Sequence, residues 1–120
     1  MRVLALTNAF PPPAQGGYSE ACADVMHGLA ARGHQVRVLT SSAGGDLPAA
    51  GGRHLRVRRA LTPVVGAWRR PGPAHRARRR DERALAEELD RPTDAVLVWH
   101  MRGIVKRLLR LAHGRGVPVV

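Results

Sequence analysis

The residues best suited to chemistry stand in one short stretch, "NAFPPPAQGGYSE", running from Asn8 to Glu20. Pro11 to Pro13 are followed closely by Gly16-Gly17 and then by the start of a helical pattern. Glycine permits positive φ and lets another molecule approach the backbone. The first N–H groups of a helix have no partner inside it, and the helix dipole favours an anion there. Gly16 and Gly17 therefore read in two ways. They serve a tight turn that needs glycine only for its geometry, or they hold backbone amides toward something anionic. Asn8, ahead of the prolines, orders that loop or touches a ligand. Ser19 has the right chemistry to cap the helix, and Tyr18 can line a pocket beside it.

A second candidate group is His100, Met101 and Arg102, which follow the apolar run "DAVLVWH". At the carboxyl end of a strand they face the place where ligands bind in open parallel sheets. The alternative is a histidine that caps the next helix or faces solvent. His34 reads as part of a helix-to-strand turn. The dinucleotide fingerprint G-x-G-x-x-G and the P-loop G-x-x-x-x-G-K-[ST] are both absent. The six histidines are scattered without ligand spacing, so no metal site is predicted. Cys22 falls on an apolar stripe with no base near it in sequence, which makes it core and not nucleophile. No catalytic group can be assigned.

The elements that would position these groups alternate along the chain. Val3 to Leu6 is a short apolar run, as suits a strand buried on both faces of a parallel sheet. The prolines cannot donate backbone hydrogen bonds, so the strand stops before them. A helix is predicted from about Tyr18 to Arg32, with Cys22, Val25, Met26 and Leu29 as its apolar positions and Gly33 past its end. "HQVRVLT" reads as a second strand, Ser41 to Gly52 as loop, and "HLRVRRA" as a strand near a sheet edge. "LTPVVGAWRRPGPA" has no clean period and reads as irregular. A charged helix follows from about Ala74 to Leu89, with Ala77, Ala84, Leu85 and Leu89 as a weak apolar stripe. Then come the strand "DAVLVWH", the helix "GIVKRLLRLAHGRG" with Ile104, Val105, Leu108, Leu109 and Ala112 on one side, and "VPVV", the start of another strand. The order β-α-β-β-α-β-α-β predicts an α/β fold, a Rossmann-like parallel sheet with flanking helices. The chain stops inside what reads as a central strand, so a fragment of a longer protein is expected.

A length of 120 residues with 44% apolar content fits one small domain. The formal charge is +11, and Lys106 is the only lysine, so the excess is arginine. An arginine-rich proteome encoded by a high-GC genome gives the same imbalance. The densest run is Arg69, Arg70, Arg76, Arg78, Arg79, Arg80 and Arg83, either a solvated helix face or a surface for an anionic membrane. Attraction of roughly 1 kcal/mol per nearby basic side chain would support peripheral association there. Nucleic acid is disfavoured as a partner, because aromatics make up only 3% and offer no stacking platform. A lone cysteine excludes an internal disulfide, and no apolar run is long enough for a signal peptide or a membrane span. The expected location is the cytoplasm, with Arg69 to Arg83 as the part that could reach the inner face of the membrane.

The first 42 residues resemble the opening of a GT-B glycosyltransferase of the retaining family 4 type. The resemblance rests on the Pro11 to Pro13 segment, Gly16-Gly17, the helix, and Arg32-Gly33-His34-Gln35-Val36 leading into a strand. "DAVLVWHMRGIVKRLLRLAHGRGVPVV" is similar to a later strand-helix-strand unit of the family; the arginine-rich middle matches only in its order of elements. The resemblance implies that residues 1–120 are an incomplete N-terminal, acceptor-side domain and that the C-terminal donor domain is absent. It implies a nucleotide-sugar as co-substrate, with no further cofactor, and a glycosyl acceptor. Gly16 and Gly17 would then approach the donor diphosphate, while Asn8, Tyr18, His100, Met101 and Arg102 would border the acceptor. The family's paired-glutamate motif E-x7-E is not formed by Glu20, Glu82, Glu87 or Glu88, so the chain alone is expected to be inactive. Two other readings stay open: a non-catalytic, truncated binding module, and a basic nucleic-acid-binding protein.

Overall fold

The computed structural model describes residues 1–12, 17–42, 52–62, 71–99 and 106–120. Among the described residues, four strands form one parallel sheet: β1 (Arg2–Leu6), β2 (Gln35–Ser41), β3 (Leu55–Leu61) and β4 (Ala95–Val98). Their spatial order is β3-β2-β1-β4. Three helices accompany them, α1 (Gly17–Ala31), α2 (Pro71–Leu89) and α3 (Lys106–Gly114). This is a Rossmann-like α/β arrangement, as the alternation of apolar runs predicts. "VPVV" lies parallel beside β4, with Val96 N–H donating to the Pro118 carbonyl and Val98 N–H to that of Val120, both at 2.8 Å.

The sheet is covered on both faces because successive side chains of a strand point to opposite sides. Ala5, Val36, Val38 and Leu55 pack with Phe10, Cys22, Ala23 and Met26 on the α1 side. Leu4, Leu6, Leu39 and Val96 pack with Ala84, Leu85, Leu89, Leu108 and Ala112 on the side of α2 and α3. β3 is an edge strand, as its mixed pattern suggests. A bulge near its end pairs Thr40 with Arg59 and Ser41 with Leu61, skipping Ala60. That extra residue reverses the alternation and turns Leu61 into the α2 side.

Several expectations are corrected. Val25, placed on the apolar stripe of the first helix, is exposed; the buried line is Ser19, Cys22, Ala23 and Met26, spaced i, i+3, i+4, i+7. Because α1 starts at Gly17, Ser19 lies inside its first turn, buried, and not at the cap. Residues 71–74, read as irregular, belong to α2. Prolines fit there because first-turn N–H groups have no helical acceptor to lose. Buried Asp81 and Glu88 share the inner face of α2 with its predicted apolar residues. Ile104 and Val105 lie outside the described residues, as does most of the predicted loop from Ser41 to Gly52.

Candidate functional site at the carboxyl ends of β1 and β4

The chain leaves β1 for β2 on one side, while β4 pairs with β1 on the other. The crossovers therefore diverge between β1 and β4. In open parallel sheets ligands bind at such a switch point, outside the strand carboxyl ends.

The segment after β1 is anchored three times. Thr7, buried, donates its hydroxyl to the Ala9 carbonyl at 3.0 Å, and its N–H bonds Leu39 O at 3.2 Å. Phe10 is buried in the α1-side core with Cys22 and Met26. Burying such a side chain contributes about 1.5–3 kcal/mol. The Arg59 guanidinium then donates to three successive carbonyls: Phe10 and Pro11 at 3.0 Å each, and Pro12 at 2.6 Å. Arg59 reaches them because Leu55, Val57 and Arg59 share the α1-facing side of β3, before the bulge. Burial lowers the pKa of this guanidinium from its ordinary value.

Prolines make that clamp chemically reasonable. A Pro-rich segment has carbonyls but few N–H groups, so it needs outside donors, and a guanidinium offers five in a rigid fork. Neither Phe10 nor Arg59 was singled out from the sequence. Phe10 carried a weak signal as the only phenylalanine, set directly before the prolines. Arg59 carried none, because nothing local separates it from Arg56 and Arg58.

Gly17 opens α1 and is exposed. Among described residues only Gly33 and Gly116 have positive φ, at 90° and 72°. A Cβ built on Gly17 would meet nothing within 4 Å. Neither backbone geometry nor packing within the described residues therefore demands glycine at this position. Tyr18, beside it, is 73% exposed. Glu20, in the same turn, is also exposed and suits the positive end of the helix dipole. From the opposite side, Trp99 donates its indole N–H to the Tyr18 carbonyl at 2.9 Å and its backbone N–H to Leu6 O at 2.9 Å. The first turn of α1 is thus tied to the end of β4.

Under this turn the Cys22 thiol is buried, and desolvation pushes its pKa up to about 11, against a smaller opposing effect of the Thr7 hydroxyl. At that value it is a protonated core thiol and no nucleophile. Thr40, at the carboxyl end of β2, is fully buried, and its hydroxyl has no hydrogen-bond partner among the described residues. Asn8 stands half-buried just past the end of β1. Gly16, His100, Met101 and Arg102 lie outside the described residues. No group of His, Cys, Asp or Glu among the described residues could hold a metal ion.

No protein-family model matches the chain, and no curated protein matches it significantly. Solved structures do resemble it. The C-terminal domain of a hydrogenase from Pyrococcus furiosus superposes with a TM-score of 0.57 at 16% identity, over 99% of this chain and 88% of that one. Os79 from O. sativa, solved in complex with UDP, superposes with a TM-score of 0.50 at 19% identity over 99% of this chain. The chain spans 27% of the length of Os79. At these identities the likeness is one of fold. No described helix is long and apolar enough to cross a membrane.

Proposed function

We propose that this chain is the acceptor-side, Rossmann-like part of a GT-B glycosyltransferase of the family 4 type. The full protein would move a sugar from a nucleotide-sugar to an acceptor, with retention at the anomeric carbon. In this reading the loop through Gly16-Gly17 lies against the donor diphosphate. Asn8, Tyr18, His100, Met101 and Arg102 border the acceptor. A C-terminal domain would hold most of the donor, so the 120 residues would bind without turning over.

One observation carries the proposal. Gly17 is exposed at the first turn of α1, near the switch point between β1 and β4, and nothing among the described residues requires it to be glycine. Glycine there is explained by something that must come close to the backbone from outside. The anchoring of Phe10 to Pro12 by Arg59, and of the first turn of α1 by Trp99, supports it, since held backbone near a helix start pre-organises amides for an anion. The resemblance in fold to a protein solved with UDP agrees with it.

The test is an NMR titration with UDP. UDP should move the amides of Gly17 to Glu20 and of Asn8, with weak affinity because one wall of a cleft supplies only part of the contacts. Gly17→Ala should leave thermal stability unchanged or raise it, by up to about 1 kcal/mol from helix propensity. The same substitution should weaken UDP binding. Absent shifts at those amides, or equal binding by Gly17→Ala, would overturn the assignment.

A further inference from the structure

A highly charged recess lies elsewhere, between α2 and α3, with a volume of about 920 Å³. It is lined by Arg78, Arg79 and Arg83 of α2 and Arg107 and Arg110 of α3, against the single carboxylate of Glu82. The lining positions on α2 run from His75 to Ala86 at spacings of three and four, which makes them one face of the helix. That face is about 16 Å long, from the helical rise. Glu82 accepts from Arg107 Nε at 2.9 Å. Arg78, Arg79, Arg83 and Arg110 form no ion pair with any described carboxylate.

Four guanidinium groups with no described carboxylate partner stand around one recess and repel each other, and the cost is relieved when an anion enters. The lining also narrows what the anion can be. No Trp, Tyr or Phe among the described residues lines the recess, so bases of a single-stranded nucleic acid would find no stacking partner on them. Among the described lining residues only Ala86 and Leu111 are apolar, too little to anchor a partner helix or to insert into a bilayer. A concave site also presents its charges to a discrete molecule better than to a plane. Guanidinium forks match phosphate oxygens in pairs.

We infer that the groove between α2 and α3 binds a discrete oligophosphate, a molecule carrying two or more linked phosphate groups, at a site separate from the switch point between β1 and β4. This inference is independent of the transferase reading, because it uses neither Gly17 nor the proline segment.

Titration of the chain with inorganic tripolyphosphate, followed by NMR, tests it. Amides from Arg78 to Ala86 and from Arg107 to Leu111 should move, and orthophosphate should bind more weakly. Arg79→Gln with Arg83→Gln should weaken binding by about tenfold or more, since each removes a charge-assisted contact. Glu82→Gln should tighten it by removing the opposing charge and releasing Arg107. The arginine positions are exposed, and unchanged thermal unfolding confirms that each variant is folded. The inference is overturned if tripolyphosphate moves no groove amide, if the double substitution leaves its affinity unchanged, or if orthophosphate binds equally well. It is also overturned if the chain binds vesicles of phosphatidylglycerol and phosphatidylcholine, or a single-stranded DNA oligomer, through these arginines while ignoring tripolyphosphate.

Discussion

The two ends of the sheet are held by different chemistry. At the amino end the ties are ionic. Arg2 meets Asp94 with Nη2 to Oδ1 at 3.1 Å and Nε to Oδ2 at 3.2 Å, and its backbone N–H donates to the same carboxylate at 2.6 Å. Arg37 is 13% and Glu88 7% exposed, and Nη1 meets Oε2 at 2.9 Å while also reaching the Glu88 carbonyl at 2.6 Å. Arg37 completes its set with the Pro92 carbonyl and the Thr93 hydroxyl. At the carboxyl ends of β1 and β4 the described ties run to neutral acceptors: Arg59 to three carbonyls, Trp99 to the Tyr18 carbonyl, and Thr7 to the Ala9 carbonyl; only past the edge strand β3 does Thr62 turn to a carboxylate, that of Asp81. The amino end closes strand starts against one another, and nothing has to enter there. The carboxyl end fixes a loop by its outer carbonyls and leaves the start of α1 accessible. Charge pairs lock the amino end; carbonyl bonds shape the carboxyl ends of β1 and β4.

The largest effect should come from breaking the ionic end. Glu88→Ala leaves Arg37 buried without its carboxylate, which should cost about 3–5 kcal/mol. Denaturant unfolding reads this directly. A loss under about 1 kcal/mol would mean that the carbonyls of Glu88 and Pro92 suffice for Arg37.

Breaking the carbonyl end should cost less and stay local. Arg59→Gln should lose about 1.5–3 kcal/mol, the range for hydrogen bonds involving a charged donor. Its signature is faster hydrogen exchange at Asn8 to Phe10, with β1 amides protected as before. Arg59→Lys should recover only part, because an ammonium lacks the fork that spans three carbonyls. Uniform loss of protection across the sheet would erase the distinction between the two ends.

The smallest effect is a pH dependence at the exposed Arg2–Asp94 pair. Hydrogen bonds from Arg2 hold the Asp94 carboxyl down to about 2. Since the folded-state value is depressed, the pair's contribution is fully present above the ordinary aspartate pKa of about 4. It is lost as pH falls through about 2. Thermal midpoints of the native chain and of Asp94→Asn should therefore differ slightly near neutral pH and converge in acid, with a smaller gap in high salt. A gap that widens on acidification would contradict the assigned cause.

Much of the architecture is legible in local pattern. Leu4 and Leu6, Val36 and Val38, and Val96 are buried where continuous apolar runs placed strands, and Ala77, Ala84, Leu85 and Leu89 form the inner line of α2 as their spacing implied. Val25 misled because an apolar residue on the solvent side of a short helix looks no different in sequence from one on the core side. Asp81 was invisible for the opposite reason. Its carboxylate is buried because Thr62, 19 residues earlier, offers it a backbone N–H at 2.8 Å and a hydroxyl at 2.9 Å. Desolvation raises its pKa even so.

The candidate site divides along the same line. Its glycine, prolines and helix start were readable, because strand ends and helix starts follow from residue type over a few positions. The sequence by itself determined the parallel α/β order and the place of Gly17 next to the start of α1, both products of short-range periodicity and backbone restriction. Only the tertiary structure decided that Arg59 grips Phe10, 49 residues away, that Trp99 reaches Tyr18 across 81, and that the arginines of α2 and α3 share one recess. Those contacts depend on strand order, on a bulge and on helix packing. No local pattern encodes them, because side chains distant in sequence meet only after the sheet has chosen its neighbours.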